Sequence, residues 1–511
     1  MLTFEATPFD ERAAPDWTSL AASRQVALDP ALRPAFVGAG AGRENLERLL
    51  AGALCVTTGQ QPGLLTGPLF TLYKALSAIA LARAAEARLS RPVVPVFWVA
   101  GDDHDFSEAN HCFLLSAQGD VERLELRQRD PAGPLTPLYR EPVGAEIGAV
   151  LDRFRVVTPE TEFRPGVLEW LSRHYRADAD LASAFGSALA ELLGSAGLVV
   201  FQASHAAAKR VMAPWLLRVL KGAADLDRAL ASRATSLAAA GREVPVTVGD
   251  GATPVMVEGR LGRDRLVAQD GRFESRRAGE RWTAAELAKL VEREPERFSA
   301  NVLLRPVIEA TILPTLAYAA GPGELAYLPQ CDPIYQALGI VPQGRIPRWS
   351  GRVLEARVLK TLAKHSLTPD ALGREGPKLE RELLREEIPA EAKEALAALR
   401  DVLEREYQKL ARSAAGLDPT LQKTAESARN AALGGVADLE KRLIAHLRKQ
   451  NDVATAQIAR ARANLFPLGH PQERVISAVS FLLRYGSAFI EESLAAIGAW
   501  AERLEPAHRR S

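Results

Sequence analysis

The segment Thr58-Gly-Gln-Gln-Pro-Gly-Leu-Leu-Thr-Gly-Pro-Leu-Phe-Thr-Leu-Tyr-Lys74 constrains this chain more than any other. Its three glycines, Gly59, Gly63 and Gly67, separate an apolar run, Ala53 to Val56, from a helical pattern, Leu69 to Ala87. A second apolar run, Val93-Val-Pro-Val-Phe-Trp-Val99, follows and leads into Asp102-Asp-His-Asp105. Strand, glycine-rich loop, helix and strand are the opening of a nucleotide-binding α/β domain. A right-handed crossover makes the two strands parallel. The glycine loop and the Asp/His cluster then both follow strand C-termini, on the edge where open α/β sheets bind ligands.

Two readings of the glycine loop are open. On the first, backbone N–H groups around Gly59, Gln60, Gln61, Gly63 and Gly67 approach a nucleotide phosphate or a substrate, with Thr71 in the first helical turn. Pro68 suits the first helical position, and Lys74 leans back toward an anion held there. The glycine spacing matches neither the Walker nor the dinucleotide fingerprint. On the second, the glycines make a tight strand-to-helix turn and serve packing alone.

Asp102, Asp103, His104, Asp105, Glu108 and His111 fall within ten residues. Such a group supplies a general base, holds an ammonium or binds a metal, and flanking carboxylates favour the cationic form of a histidine. No His-Glu-x-x-His and no calcium-loop spacing occurs, so no metal site is expected. The bland alternative is a polar turn capping the next element. A third region joins Arg305-Pro306 to Ala317-Tyr-Ala-Ala-Gly-Pro-Gly-Glu-Leu-Ala-Tyr-Leu-Pro-Gln330. Arg305, Glu324, Tyr327 and Gln330 face a ligand on one reading; on the other they form a structural turn with a buried Glu–Arg pair.

With 511 residues, roughly two to four domains are expected. Residues 1–350 read as an α/β core. An arm with several prolines precedes a short helix, Arg43 to Leu50. Residues 117–165 read as β-rich, and the insertions span about 117–195 and 240–295. Gly197 to Gln202 reads as a buried parallel strand, and Val244–Val248, Pro254–Val257 and Arg265–Ala268 as antiparallel strands. Residues 351–470 become rich in Ala, Leu, Glu, Lys and Arg. Leu396, Leu399, Leu403, Tyr407 and Leu410, and then Leu421, Ala425, Ala428, Ala432, Val436, Leu439, Leu443 and Leu447, are near-heptad stripes. Gly416-Leu-Asp-Pro419 separates them, which predicts an antiparallel coiled coil over 380–465, and a homodimer through it. Residues 471–511 read as a helix, Pro471 to Leu504, packing on the core.

The net charge of +1 argues against a nucleic-acid partner held by a large basic field. Three dispersed cysteines, Cys55, Cys112 and Cys331, suit a reducing compartment and set the expectation of a cytoplasmic protein. The N-terminus lacks a basic and apolar leader pattern. No uncharged apolar run approaches about 18 residues, so no membrane partner is expected.

Six ordered motifs resemble the cysteine-adding enzymes of bacillithiol biosynthesis, the cysteine ligases: Thr58-Gly-Gln-Gln-Pro-Gly63, Gly67-Pro-Leu-Phe-Thr-Leu-Tyr-Lys74, Pro95-Val-Phe-Trp98 with Asp103-His-Asp-Phe106, Asn301-Val-Leu-Leu-Arg-Pro306, Ala317-Tyr-Ala-Ala-Gly-Pro-Gly-Glu324 and Gln472-Glu-Arg474. They run in family order over nearly the whole chain. Asp102 stands where the family favours glutamate, and Gln202 where an acid is expected. The resemblance implies a Rossmann-like nucleotide-binding core of class I synthetase type, with insertions, and a helical coiled coil used for dimerisation. It implies an amide-forming reaction between the carboxyl of L-cysteine and the amine of glucosaminyl-malate, giving bacillithiol, with ATP, and Mg accompanying it, to activate the carboxyl. Within it, the glycine loop and Lys74 stabilise phosphate charge, His104 takes the proton of the amine, Asp103 or Asp105 orients it, and Arg305 meets a malate carboxylate. The alternatives are a nucleotidyltransferase or adenylate-forming enzyme of the same fold acting on another acid, and a non-catalytic coiled-coil scaffold.

Overall fold

The computed structural model describes residues 2–7, 16–24, 26–373, 388–450 and 452–504. Part of the N-terminal arm and residues 380–387 and 451 of the expected coiled coil lie outside the described residues, as does the side chain of Leu447. The chain forms two compact units, one of Leu2–Val353 with the segment from Gln472 onward, the other of Leu354–Pro471.

The first unit is built on a six-stranded sheet of β1 (Phe36–Gly38), β2 (Leu54–Gln60), β3 (Val93–Val99), β4 (Val199–Gln202), β5 (Thr315–Ala320) and β6 (Gly344–Pro347), in the order β6-β5-β2-β3-β4-β1. All neighbours are parallel except β1, which runs antiparallel to β4. Buried on both faces, β3 reads as an unbroken apolar run. Its alternate residues feed two cores: Val93, Phe97 and Val99 pack on one face, and Val94, Val96 and Trp98 on the other. The β2–β3 crossover is α1 (Leu69–Leu89). Most of α1 is buried, including Leu72, Leu76, Ile79 and Ala82, because the C-terminal segment packs on it as well as the sheet. The opposite face is covered by α2 (Ala206–Lys221) and α3 (Arg305–Ile312), and α4 (Pro322–Tyr327) follows β5.

Three local readings change. Residues 126–165 are not β-rich: the strands His111–Leu115 and Val121–Glu125 pair, but Ile147–Val157 is a helix that buries Ile147, Val150, Leu151 and Phe154 at helical spacing. Val244–Val248 is a loop, because the Gln330 side chain takes both backbone groups of Val246, its N–H at 3.2 Å and its C=O at 2.9 Å, where a strand partner would stand. The antiparallel sheet instead comprises Arg281–Thr283, Arg272–Ser275, Gly262–Gln269, Ala252–Gly259 and Phe298–Ala300, in that spatial order. Among the described residues the C-terminal segment forms three helices, Gln472–Val475, Val479–Tyr485 and Ser487–Glu502. Gly486 separates the last two with φ +57°, and a Cβ there would lie 2.7 Å from the Phe163 ring.

In the second unit the helices Ala390–Leu417 and Pro419–Gln450 fold back on each other. Asp418 breaks them: its backbone is extended and its carboxylate accepts from Thr420 N–H at 2.8 Å. Arg429 pairs with Glu404 at 3.3 Å, and Arg400 with Glu440. Rising numbers on one helix meet falling numbers on the other, which makes the pair antiparallel. Leu396, Ala425 and Val436 are buried, whereas Leu399, Val402, Leu410, Leu421 and Leu439 stay exposed. Among the described residues no helix is long and apolar enough to cross a membrane.

The C-terminal segment is fixed to the core by a buried fork. Arg348 donates to both carboxylate oxygens of Glu473, at 3.0 and 2.7 Å, and Gln472 pairs with both backbone groups of Val353. Glu473→Ala leaves Arg348 buried without its carboxylate and is expected to cost about 3–5 kcal/mol. Urea unfolding measures this, and an unchanged midpoint would show the fork to be dispensable.

Candidate active site at the switch point of the sheet

From β2 the chain lays β3 and β4 to one side and, after the antiparallel sheet, β5 and β6 to the other. Strand order therefore reverses between β2 and β5, and a crevice opens at the C-terminal ends of the strands on either side. A cleft of about 350 Å³ occupies it. Gly59, Gln60 and Gln61 line it from the end of β2, Trp98, Asp102 and Asp103 from β3, and Tyr318, Glu324 and Tyr327 from β5 and α4. Arg263 and Arg265 come from the antiparallel sheet, and Asn301 and Arg305 from the start of α3. Gly59 is required at the strand end: a Cβ there would sit 2.9 Å from the Trp98 carbonyl.

Lys74 reaches back along α1, as its helical position dictates, but what it meets is protein. Its Nζ donates to the Gly59 carbonyl at 2.8 Å and Gln60 Oε1 at 3.0 Å, and pairs with Glu324 Oε2 at 2.6 Å. Glu324 also accepts from Tyr318 Oη at 2.6 Å and Gly321 N–H at 2.7 Å. Burial lowers the Lys74 pKa, with Glu324 opposing. Burial alone would raise Glu324, but Lys74 and Arg305 outweigh it and hold the carboxyl below its usual value. Arg305 donates to Glu309 Oε2 at 2.9 Å and lies 4.7 Å over the Tyr318 ring. Its Nη2 is buried without a hydrogen-bond partner. Glu309 also accepts from Thr57 Oγ1 at 2.6 Å, and burial pushes its pKa up.

The glycine turn beyond Gln61 is not part of the cleft lining. Residues 62–67 are buried and several of their polar groups are taken by other parts of the chain. Tyr175 Oη donates to the Gly63 carbonyl at 2.9 Å and accepts from Thr66 N–H at 2.8 Å. Ser477 Oγ donates to Leu65 O at 3.2 Å, and at the start of α1 Leu69 N–H donates to Ile476 O at 2.8 Å. Gly67 has φ +69°, and a Cβ on Gly63 would lie 3.0 Å from the Gly67 Cα. These glycines let the chain approach itself. Gly63, Gly67 and Thr71 thus stand apart from the cleft lining, and the N–H groups of Thr66 and Leu69 are taken by Tyr175 and the C-terminal segment.

The carboxylates next to His104 serve the backbone. Asp103 Oδ1 accepts from the N–H groups of His104 and Asp105, at 2.7 and 3.1 Å, and Asp105 caps the short helix that follows, accepting from Glu108 N–H at 3.1 Å. Neither orients the imidazole. The His104 Nδ1 instead lies 3.3 Å from Arg263 Nη1. Burial and Arg263 lower the His104 pKa, against the opposing Asp103 and Asp105, so the expected cationic bias is reversed. Gln330 is turned away toward Val246. No group of three or more His, Cys, Asp or Glu side chains able to hold a metal occurs among the described residues.

Two family models match the sequence: the N-terminal Rossmann-like domain of the bacillithiol biosynthesis protein BshC over residues 26–348, and the C-terminal coiled-coil domain of BshC over residues 352–502. This chain belongs to the BshC family. A relative from Symbiobacterium thermophilum, named "Putative cysteine ligase BshC", is 33% identical over 94% of this chain and 88% of its own length. A relative of the same name from Koribacter versatilis is 32% identical over 90% of this chain and 84% of its own.

In this BshC chain the cleft also depends on residues that sequence reasoning passed over. Lys209, almost fully buried, donates to Asp102 Oδ1 at 2.5 Å and to Phe298 O at 2.8 Å. Its signal was a lysine on the apolar stripe of α2, in step with Met212 and Leu216. Arg263 lay just before the strand read from Arg265. The turn makes a prediction of its own. Tyr175→Phe strips the partner from Thr66 N–H and Gly63 C=O and is expected to cost about 1–3 kcal/mol while ligand affinity in the cleft is unchanged. Chemical denaturation with parallel calorimetry checks both; lost affinity at full stability would return the turn to the site.

Proposed function

We propose that this chain is a cysteine ligase that joins the carboxyl of L-cysteine to the amine of glucosaminyl-malate, forming bacillithiol. The observation that carries this reading is Arg305: a half-buried guanidinium at the switch-point cleft whose Nη2 has no hydrogen-bond partner, which suits a malyl carboxylate. Family membership supplies the reaction class. ATP, accompanied by Mg, supplies the leaving group that turns the cysteine carboxyl into an acylating agent. Arg263, Arg265 and Arg305 are the cationic side chains that line the cleft and face an anionic ligand there. Gln60 and Gln61 at the end of β2 and Tyr327 beyond β5 offer neutral hydrogen-bonding groups to the substrates.

As the C–N bond forms and the C–O bond to the leaving group breaks, the amine nitrogen sheds a proton. Asp102 is the acceptor we assign. One of its oxygens is fixed by Lys209, no described residue donates to the other, and the side chain lines the cleft. His104 does not line it.

We also assign a homodimer through the helical hairpin. Leu399, Leu410, Leu421 and Leu439 are exposed on one protomer, and a two-fold partner covers such a stripe by self-complementation.

Incubation with L-cysteine, glucosaminyl-malate and ATP is expected to yield the thiol product together with AMP or ADP, whichever identifies the activation chemistry. Absence of that thiol with folded protein contradicts the reading. Asp102→Asn is expected to lower turnover about 10²–10⁴-fold, and turnover equal to wild type would remove Asp102 from proton transfer. Light scattering tests the assembly: wild type is expected as a dimer and Leu439→Glu as a folded monomer, and a monomeric wild type would refute the interface.

A further inference from the structure

Two guanidinium groups in the cleft make no direct ion pair among the described residues, with Asp102 and Asp103 on the same cleft as the carboxylates that act on Arg263. Arg263 and Arg265 occupy alternate positions of the Gly262–Gln269 strand, so both leave the same face, and both line the cleft. Asp264 and Leu266 are buried on the other face. Among the described residues neither arginine forms an ion pair. Arg263 is held by neutral acceptors only: Nε donates to Ser299 Oγ at 3.0 Å, Nη2 to Ala300 O at 2.9 Å, and Nη1 faces His104 Nδ1 at 3.3 Å. Arg305 adds its unpartnered Nη2 from α3. Arg305 keeps Glu309 as its counter-charge at 2.9 Å, whereas Arg263 and Arg265 have none within ion-pair distance among the described residues, and the two from one strand and the one from a helix converge on a single cavity.

We propose that Arg263, Arg265 and Arg305 form a receptor for a doubly charged oxyanion group, and that His104 is the positioning residue that aims Arg263 into it. The site rests on the ligase reading only for the source of that anion, which is either the malyl dicarboxylate or the phosphates of a nucleotide. Planar guanidinium forks suit both.

The role of His104 follows from donor and acceptor counting. Arginine only donates, so Nδ1 must present its lone pair and the ring must be neutral. The charged groups around the ring are Arg263 and Arg129 on the positive side and Asp103 and Asp105 on the negative. Arg129 also donates to the His104 carbonyl at 2.8 Å, which fixes the backbone of the residue. Protonation replaces the acceptor by a second cation facing Arg263. Because the folded-state pKa is depressed, the contact is complete above the ordinary histidine value of about 6.5 and is lost as pH falls through the lower folded value.

Calorimetry on the full chain, with glucosaminyl-malate and with ADP as separate probes, tests the proposal. Arg263→Gln and Arg265→Gln are each expected to weaken one probe about 10–100-fold. The probe affected names the source of the anion. Arg265 has no described partner to lose, so its variant stays informative even if Arg263→Gln misfolds. His104→Ala is expected to weaken the same probe several-fold, and His104→Asn, whose amide oxygen replaces the Nδ1 acceptor, to restore it and to remove its loss at acid pH. Wild-type affinity in both arginine variants, or no binding of either probe by wild type at millimolar concentration, overturns the receptor. His104→Asn as weak as His104→Ala overturns the positioning role. Thiol formation with unaltered affinities in the variants defeats this proposal alone, whereas affinities lost as expected without any thiol formation defeat the ligase reading alone.

Discussion

The buried Lys74–Glu324 pair ties together the three elements that meet where strand order reverses: the end of β2, the α1 helix and the turn after β5. A buried ion pair is stabilising only when its remaining hydrogen-bonding capacity is met. Here Lys74 finds acceptors in Gly59 O, Gln60 Oε1 and Glu324, and Glu324 also accepts from Tyr318 and Gly321. Losing either partner strands a charge in a buried site, a cost of about 3–5 kcal/mol and a large part of an ordinary domain's stability of about 5–15 kcal/mol. The consequence for chemistry is subtraction. With Lys74 saturated by protein, the cleft cations left without an ion pair among the described residues are Arg263 and Arg265, and Arg305 keeps one unpartnered nitrogen beside its pair with Glu309.

That subtraction explains how the site divides its labour. The parallel sheet contributes strand ends that are rigid because they are buried on both faces, and it places Asp102, held by Lys209, at one side of the cleft. The antiparallel sheet, an insertion between β4 and β5, contributes the guanidinium wall. On the proposed reading, anions are met by side chains from the inserted sheet and by Arg305 of α3, while the glycine turn packs against Tyr175 and the C-terminal segment that the Arg348–Glu473 fork anchors.

What the sequence disclosed followed the range of the interactions. Apolar periodicity is local, and it located β2, β3, β4 and α1 to within a few residues and found the two hairpin helices by their stripes without fixing their ends; the parallel order of β2 and β3 followed from chirality alone. The site was only half legible. Gly59, Gln60, Gln61, Asp103, Arg305, Glu324 and Tyr327 do line the cleft, because strand ends on one edge must converge. Gly63 and Gly67 misled because glycine serves a phosphate and a close chain crossing equally well, and the deciding partners, Tyr175 and Ser477, lie 112 and 412 residues away. The carboxylates beside His104 misled for the opposite reason: adjacency in sequence favours bonds to the nearest N–H groups, and the ring's true neighbour, Arg263, is 159 residues distant.

The central claim is that the switch-point cleft, and not the glycine turn, holds the amine-bearing substrate. A crystal structure of the chain with glucosaminyl-malate tests this most directly. The account predicts density in the cleft, with a malyl carboxylate within hydrogen-bond distance of Arg305 and the amine beside Asp102. Density against the Gly63–Gly67 turn, or carboxylates that leave Arg305 untouched, would contradict it.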